Sequence, residues 1–285
     1  MRESGVGVTG ERPQVAPSDA YRRPSALERA GARLRGAVPD GPLRRGLRAA
    51  YRAALRLASG GSVASRLPGG ETVRLLPELR FVTWNRAEYD ALRTAARPGA
   101  VALDVGANVG AYALLLGQWV RPGGRVYAFE PAAQAFAGLS RHVALNGLGD
   151  AITPVNSAAA AATGTAPFAA DGVSGANRLG SGGMTVATVT IDDFCAREEI
   201  IPSIIKIDVE GAELDVLRGA RETIRRAGAG LTLLVEMHPT VWREMGIAKE
   251  DVQAELALQG LRAEPLRLVD DPWALEGECL RLVRT

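Results

Sequence analysis

Two cysteines in 285 residues, Cys195 and Cys279, cannot build a disulfide framework, and no C-x-x-C pair is present. They read as free thiols in a reducing compartment, so the expected localisation is cytoplasmic. Aromatic residues make up only 5% of the chain, which disfavours the stacking platforms of single-strand nucleic-acid binders. Lysine is nearly missing: Lys206 and Lys249 stand among 34 basic residues, a bias that carries no functional reading. Long apolar runs are lacking too. The longest such stretch, 101–120, contains Asp104 and Asn108, and reads as strand, turn and helix rather than a membrane span. Residues 1–25 have no apolar segment of the secretory-signal kind. The 33 glycines and 16 prolines follow no period, which excludes collagen. A net charge of +2 with 47% hydrophobic residues excludes a wholly disordered chain.

Charge is unevenly spread. Residues 1–60 hold 12 Arg and 5 acids, a net of +7; residues 61–285 hold 22 basic and 27 acidic residues, a net of −5. This split predicts a basic N-terminal extension, 1–75, on a mildly acidic domain, 76–285. Residues 1–24 are polar and rich in Pro and Gly, and disorder is expected there. Two amphipathic helices are expected over 25–58; the second is a covering helix with solvated arginines or, alternatively, a membrane-edge helix. A loop is expected over 59–70, short strands near 72–76 and 79–84, and a helix over 85–97.

Strands and helices then alternate. Apolar runs at 100–105, 125–130, 151–157, 203–209 and 231–237 suit a parallel sheet buried on both faces. Helical spacing fits 109–120, 132–146, 211–226 and 248–259. Two further strands, 261–268 and 278–283, would close the sheet with an antiparallel pair. The fold class is therefore α/β, doubly wound. The Gly/Ala/Ser-rich segment 158–192 interrupts the alternation, with short strands at 165–169 and 184–191. With the N-terminal helices it is expected to wall the acceptor site.

The first strand runs into Asp104-Val-Gly106-Ala-Asn108-Val-Gly110, a glycine turn opening a helix. Glycines there let a ligand approach the backbone. The dinucleotide fingerprint G-x-G-x-x-G fails, because Asn108 and Ala111 occupy its second and third glycine positions. Asp104 would repel a pyrophosphate and attract an ammonium. Glu130, at the tip of the second strand, can accept bonds from both ribose hydroxyls. Asp104, Gly106, Asn108, Gly110 and Glu130 together suit S-adenosylmethionine, with Asn156 and Ser157 near its adenine.

A second constellation follows. Lys206, Asp208 and Glu210 alternate with Ile205, Ile207 and Val209, so the three charges share a face at a strand end. Such a row needs partners or a ligand. Glu236 and His238 share a face at the end of the next strand. His238 is either a base or a capped core histidine. His142 lies in a surface-type helix and is given no role.

DVGANVG, FEP, LNG at 145–147, TIDDF at 190–194, IIKIDVEGAELDVLRGA and VEMH are similar to motifs of the FkbM-type class I S-adenosylmethionine-dependent methyltransferases. The resemblance covers roughly 80–285, and KIDVEGAE is its most specific stretch. His142 departs from it, standing where that family often has Asn. The resemblance implies a Rossmann-like, seven-stranded sheet with its last strand antiparallel, and methylation of a hydroxyl on a small-molecule natural product or sugar. His238 is then the expected base, oriented by Glu236, with Asp208 as the alternative base and Lys206 and Glu210 beside them. A second version holds a divalent metal on Asp208, Glu236 and His238. The rival readings are a non-catalytic binding protein of this fold and an NAD-dependent oxidoreductase.

Overall fold

The computed structural model describes Gly46 and residues 61–285, except 81, 170–177, 181, 270, 272, 274 and 275. The disorder expected over 1–24 and, apart from Gly46, the helices expected over 25–58 lie outside the described residues.

The first elements are an antiparallel hairpin, β1 (Val63–Arg66) and β2 (Thr72–Leu75). Two expectations change here. Residues 63–66 form a strand where a loop is expected, and the described residues of 79–84 do not form one. Pro77 lies two residues beyond β2, and a turn closes with Leu79 N–H donating to the Leu76 carbonyl. Residues 72–75 therefore pair backwards. Val73 and Leu75, just before the expected boundary at 75/76, are fully buried in the main core. Glu71 fastens the hairpin: its carboxylate accepts from Tyr89 Oη (2.6 Å) and Trp119 Nε1 (2.7 Å).

Helix α1 (Arg86–Ala95) begins at Asn85, whose side chain accepts from the N–H groups of Ala87 and Glu88. Then come β3 (Val101–Val105), α2 (Ala111–Trp119), β4 (Arg125–Phe129), α3 (Ala133–Leu145) and β5 (Ile152–Val155). The interrupting segment forms its own four-stranded sheet: β6 (Ala158–Ala159), β7 (Gly164–Ala169), β8 (Arg178–Leu179) and β9 (Met184–Val189). It returns through α4 (Ile191–Arg197), capped by the Thr190 hydroxyl. Next are β10 (Ile204–Ile207), α5 (Glu213–Arg218), α6 (Arg221–Ala227), β11 (Thr232–Met237), α7 (Pro239–Glu244), α8 (Lys249–Leu258), β12 (Leu261–Pro265) and β13 (Glu278–Arg284). The single helix expected over 211–226 is two. At Gly219 the chain passes so close to the Ala160 carbonyl that a Cβ would lie 2.1 Å from its oxygen.

The main sheet has seven strands in the order β12-β13-β11-β10-β3-β4-β5. The β13 strand runs antiparallel to both neighbours and sits between β11 and β12 rather than at the edge. Strand order reverses between β3 and β10, which opens a crevice at their carboxyl ends. One face carries Leu103, Val105, Ile205, Ile207, Leu233 and Val235, all buried beneath α4, α5, α6 and α8. Each such side chain contributes about 1.5–3 kcal/mol of burial. The other face carries Ala102, Ile204 and Leu234, and packs against the hairpin, α1 and α2. Asp104 and Lys206 also lie on this second face, as register partners on adjacent strands.

Candidate active site

The turn after β3 is shaped by one close approach. Gly106 has φ +85°, and a Cβ there would stand 1.8 Å from the Asp208 carbonyl oxygen. Only glycine lets the β3 turn meet the end of β10. The N–H groups of Gly106 and Ala107 both donate to the Phe129 carbonyl, which ties the turn to β4. Asn108 takes a left-handed conformation, φ +48°, and its N–H donates to Glu130 Oε2 at 2.9 Å. Ala132 N–H donates to Glu130 Oε1 at 2.8 Å. Glu130 thus braces the glycine turn before any ligand arrives. Burial dominates its titration and lifts its carboxyl to about 7 despite those two backbone bonds.

A cleft runs over these residues. Gly106, Asn108, Glu130, Ser157, Asp208 and Glu210 line it, and Phe168 and Leu179 of the small sheet form a further wall. A second depression shares Gly106, Asn108 and Asp208, and adds Asp104, Tyr112 and Lys206. Ser157, expected near the adenine, is among the residues that line the cleft. Asn156 does not line the cleft; its amide donates to the carbonyls of Glu130 (2.8 Å) and Pro131 (3.3 Å). Gly110 lines neither depression. Its φ is +93°, and a Cβ would press on Leu139 at 2.7 Å.

Asp104 is buried, and its Oδ2 has no hydrogen-bond partner. Burial pushes its carboxyl to about 6, with Lys206 pulling the other way. A buried carboxylate with one oxygen unpartnered, beside a left-handed glycine turn, fits the ammonium of an amino-acid-bearing nucleoside. The buried Oδ1 of Asn108 is orphaned too. These residues fit S-adenosylmethionine.

The second constellation converges, but along a different path from the one expected. The β10 strand stops at Ile207, so Asp208 and Glu210 lie on the turn beyond it, and Glu210 has φ +52°. Lys206 is 2% exposed, with its ammonium 3.1 Å from Asp208 Oδ2, 3.8 Å from Glu88 Oε2 and 4.7 Å above the Tyr112 ring. Burial alone would lower the Lys206 pKa, but Asp208, Glu88, Glu236 and Asp104 raise it well above the ordinary value. It stays charged. Asp208 is held below the ordinary range: burial works against ionisation, and Lys206 and His238 outweigh it. Glu236 is shifted far upward, first by burial and then by Asp208 and Glu88.

His238 follows β11 and precedes Pro239, the first residue of α7. Its Nε2 lies 3.8 Å from Glu236, 3.9 Å from Glu210 and 4.0 Å from Asp208. The expectation that Glu236 orients it is corrected. Glu213 does so, with Oε1 at 2.8 Å from His238 Nδ1. Glu213 is fully buried and also accepts from Gly211 N–H (2.9 Å) and Trp242 Nε1 (2.6 Å). Burial would lower the His238 pKa. The Glu213 bond and the charges of Glu213, Asp208 and Glu236 prevail, lifting it to about 10. A ring that already holds its proton at neutral pH is a poor base, which alters the role expected for it.

Glu213 belongs to the VEGAE run, yet nothing in its spacing marks a partner 25 residues away. His142 is the other residue misread. It is fully buried rather than on a surface: Nδ1 meets the Val109 carbonyl at 2.7 Å, and Nε2 accepts from Leu76 N–H at 2.9 Å. Among the described residues, no helix is long and apolar enough to cross a membrane.

Hexuronic acid methyltransferase AglP of Haloferax volcanii is 27% identical over 209 residues, which cover 70% of this chain and 80% of that one. Among solved structures, methyltransferase FkbM of Methylobacillus flagellatus is 20% identical with a TM-score of 0.45, over 66% of this chain and 44% of that one. The chain thus spans less than half of that structure. A SAM-dependent O-methyltransferase of Thermotoga maritima is 13% identical with a TM-score of 0.42, over 78% of this chain and 77% of that one. The methyltransferase FkbM domain model matches residues 104–259, from the buried Asp104 to the end of α8, and by that match the chain belongs to the FkbM methyltransferase domain family.

Proposed function

We propose that the chain transfers a methyl group from S-adenosylmethionine to a hydroxyl of a small sugar-like acceptor. One observation carries this reading. The cofactor-type residues Asp104 and Glu130 and the proton-handling group Asp208–Glu236–His238 meet at one crevice, sharing Asp208 as a lining residue. Asp104 would take the ammonium, Glu130 the ribose hydroxyls, and Gly106 and Asn108 would pass the backbone close to the ligand. Bound S-adenosylmethionine supplies an electrophilic methyl on a cationic sulfur. The protein's part is to align the acceptor oxygen, exclude water and receive one proton. Alignment of this kind can supply several kcal/mol.

The proton goes to the strand-end cluster. Asp208 is ionised at neutral pH and lies at the cleft, so it can accept from the hydroxyl; His238, held by Glu213, supports its negative charge. Phe168 and Leu179 cover the cleft from the small sheet and help to keep it dry. The NAD alternative is disfavoured at the turn itself, where Asn108 and Ala111 replace glycines and Asp104 opposes a pyrophosphate.

The relative named for hexuronic acid supports a sugar acid as the acceptor to try first. The test is methyl transfer from radiolabelled S-adenosylmethionine to a panel of hexuronosides, neutral hexosides and simple phenols. Labelling of the hexuronosides above the others supports the reading. Cofactor binding with no transfer to any hydroxyl compound would favour a non-catalytic binding protein.

A further inference from the structure

The strand-end cluster has the shape of a cation site, not only of a proton relay. The His238 side chain is 95% buried, with 5% of its surface exposed, and Nδ1 is taken by Glu213. Nε2 points at three carboxylates from two different elements. They stand 3.8–4.0 Å away, near enough to share charge and too far for a hydrogen bond. One ligand atom each from Asp208, Glu236 and His238 lies within 4.8 Å of the others. Donors on opposite sides of an ion with bonds of about 2.1 Å stand about 4.2 Å apart, and neighbouring donors about 3 Å. The gap at Nε2 is of that size.

The layer behind fits as well. A ligating histidine characteristically gives its other N–H to a carboxylate, which fixes the ring and the tautomer. Glu213 makes that bond to His238 and is itself held by Gly211 and Trp242. Nearby Lys206 is already engaged by Asp208 and Glu88, so it does not fill the gap. Glu236, Glu210 and Asp208 each keep about a fifth to a third of their side chain exposed, and Asp208 and Glu210 line the cleft, which leaves an entry path.

We propose that Asp208, Glu236 and His238 bind one divalent cation of the magnesium or manganese type, which displaces the proton from His238 Nε2 to solvent, with Glu213 positioning the histidine and Glu210 adding negative charge beside the ion. Two carboxylates and one imidazole, with a third carboxylate alongside, suit such a hard ion better than copper, and sites open to water suit magnesium or manganese. The ion would neutralise a site otherwise hostile to an anionic acceptor and leave coordination positions open toward the cleft. Its use in methyl transfer rests on the function proposed above; its binding does not.

The test is a manganese titration of the full chain followed by electron paramagnetic resonance, without cofactor, alongside calorimetry of S-adenosylmethionine in EDTA. One saturable manganese site, displaced by magnesium, is expected. His238→Ala should weaken manganese at least about tenfold, and Glu213→Gln about 10–100-fold. Both should stay folded by circular dichroism. No saturable manganese binding by the unaltered protein would overturn the proposal, as would a folded His238→Ala that binds as tightly. If manganese binds as expected while S-adenosylmethionine does not, the cation site stands and the methyl-transfer reading falls.

Discussion

Glu213 Oε1 lies 2.8 Å from His238 Nδ1, and this contact ties the start of α5 to the end of β11. The same carboxylate serves Trp242 and Gly211. Glu213→Ala would leave three buried donors without an acceptor, at about 1–3 kcal/mol each. About 2–4 °C of Tm goes with each kcal/mol in a domain of this size, so a fall of at least about 5 °C is expected. A thermal melt within a degree of the unaltered protein would contradict the role given to Glu213.

Gly106→Ala tests the close approach of the two strand ends. The substituted residue would hold a left-handed φ and place its Cβ on the Asp208 carbonyl. Strain of this kind costs about 1–3 kcal/mol before any backbone shift. Calorimetry should show S-adenosylmethionine affinity lost or cut at least about tenfold. An affinity within twofold would show that the turn can open without harm to the site.

The cofactor's affinity should depend on pH through Glu130. Its carboxyl, lifted to about 7 by burial, is partly protonated at neutral pH, whereas ribose hydroxyls need the ionised form as acceptor. Affinity should therefore rise as pH increases through about 7 and then level off. Asp104, near 6, adds an earlier rise. Glu130→Gln should remove the upper rise and leave the lower one. The stability sign is opposite: a raised carboxyl pKa favours the folded state at low pH, and this contribution fades between the ordinary value of 4.5 and about 7.

His142 predicts an acid sensitivity. Burial holds its pKa below the ordinary 6.5, outweighing the bond to the Val109 carbonyl, and Nε2 must stay unprotonated to accept from Leu76. The folded state thus binds fewer protons than the unfolded one. Stability from this residue is complete above 6.5 and declines as pH falls below it. Urea unfolding from pH 7.5 to 5 should show a smaller acid loss for His142→Asn than for the unaltered protein. Parallel curves for the two would remove His142 as the cause.

Much of the fold is legible in the residues because its signals are local. Apolar runs such as VALDV and IIKI can only be strands buried on both faces, and helical spacing lies between them. Acids at the ends of such strands, Asp104, Glu130, Asp208 and Glu236, must then gather at one edge of the sheet. Chain order alone therefore determined the crevice, the gathering of these acids at it and the neighbourhood of His238. What local pattern does not contain is the partner across space. Whether β2 pairs backward with 63–66, whether His142 faces solvent or Leu76, and whether Glu236 or Glu213 holds His238 were decided by tertiary packing. Helical spacing tells which side of a helix is apolar, but not which buried donor waits on the neighbouring element. Glu213 shows the difference: nothing local distinguishes it from the surface acids around it, and only the docking of α5 against β11 and α7 gives it His238 and Trp242.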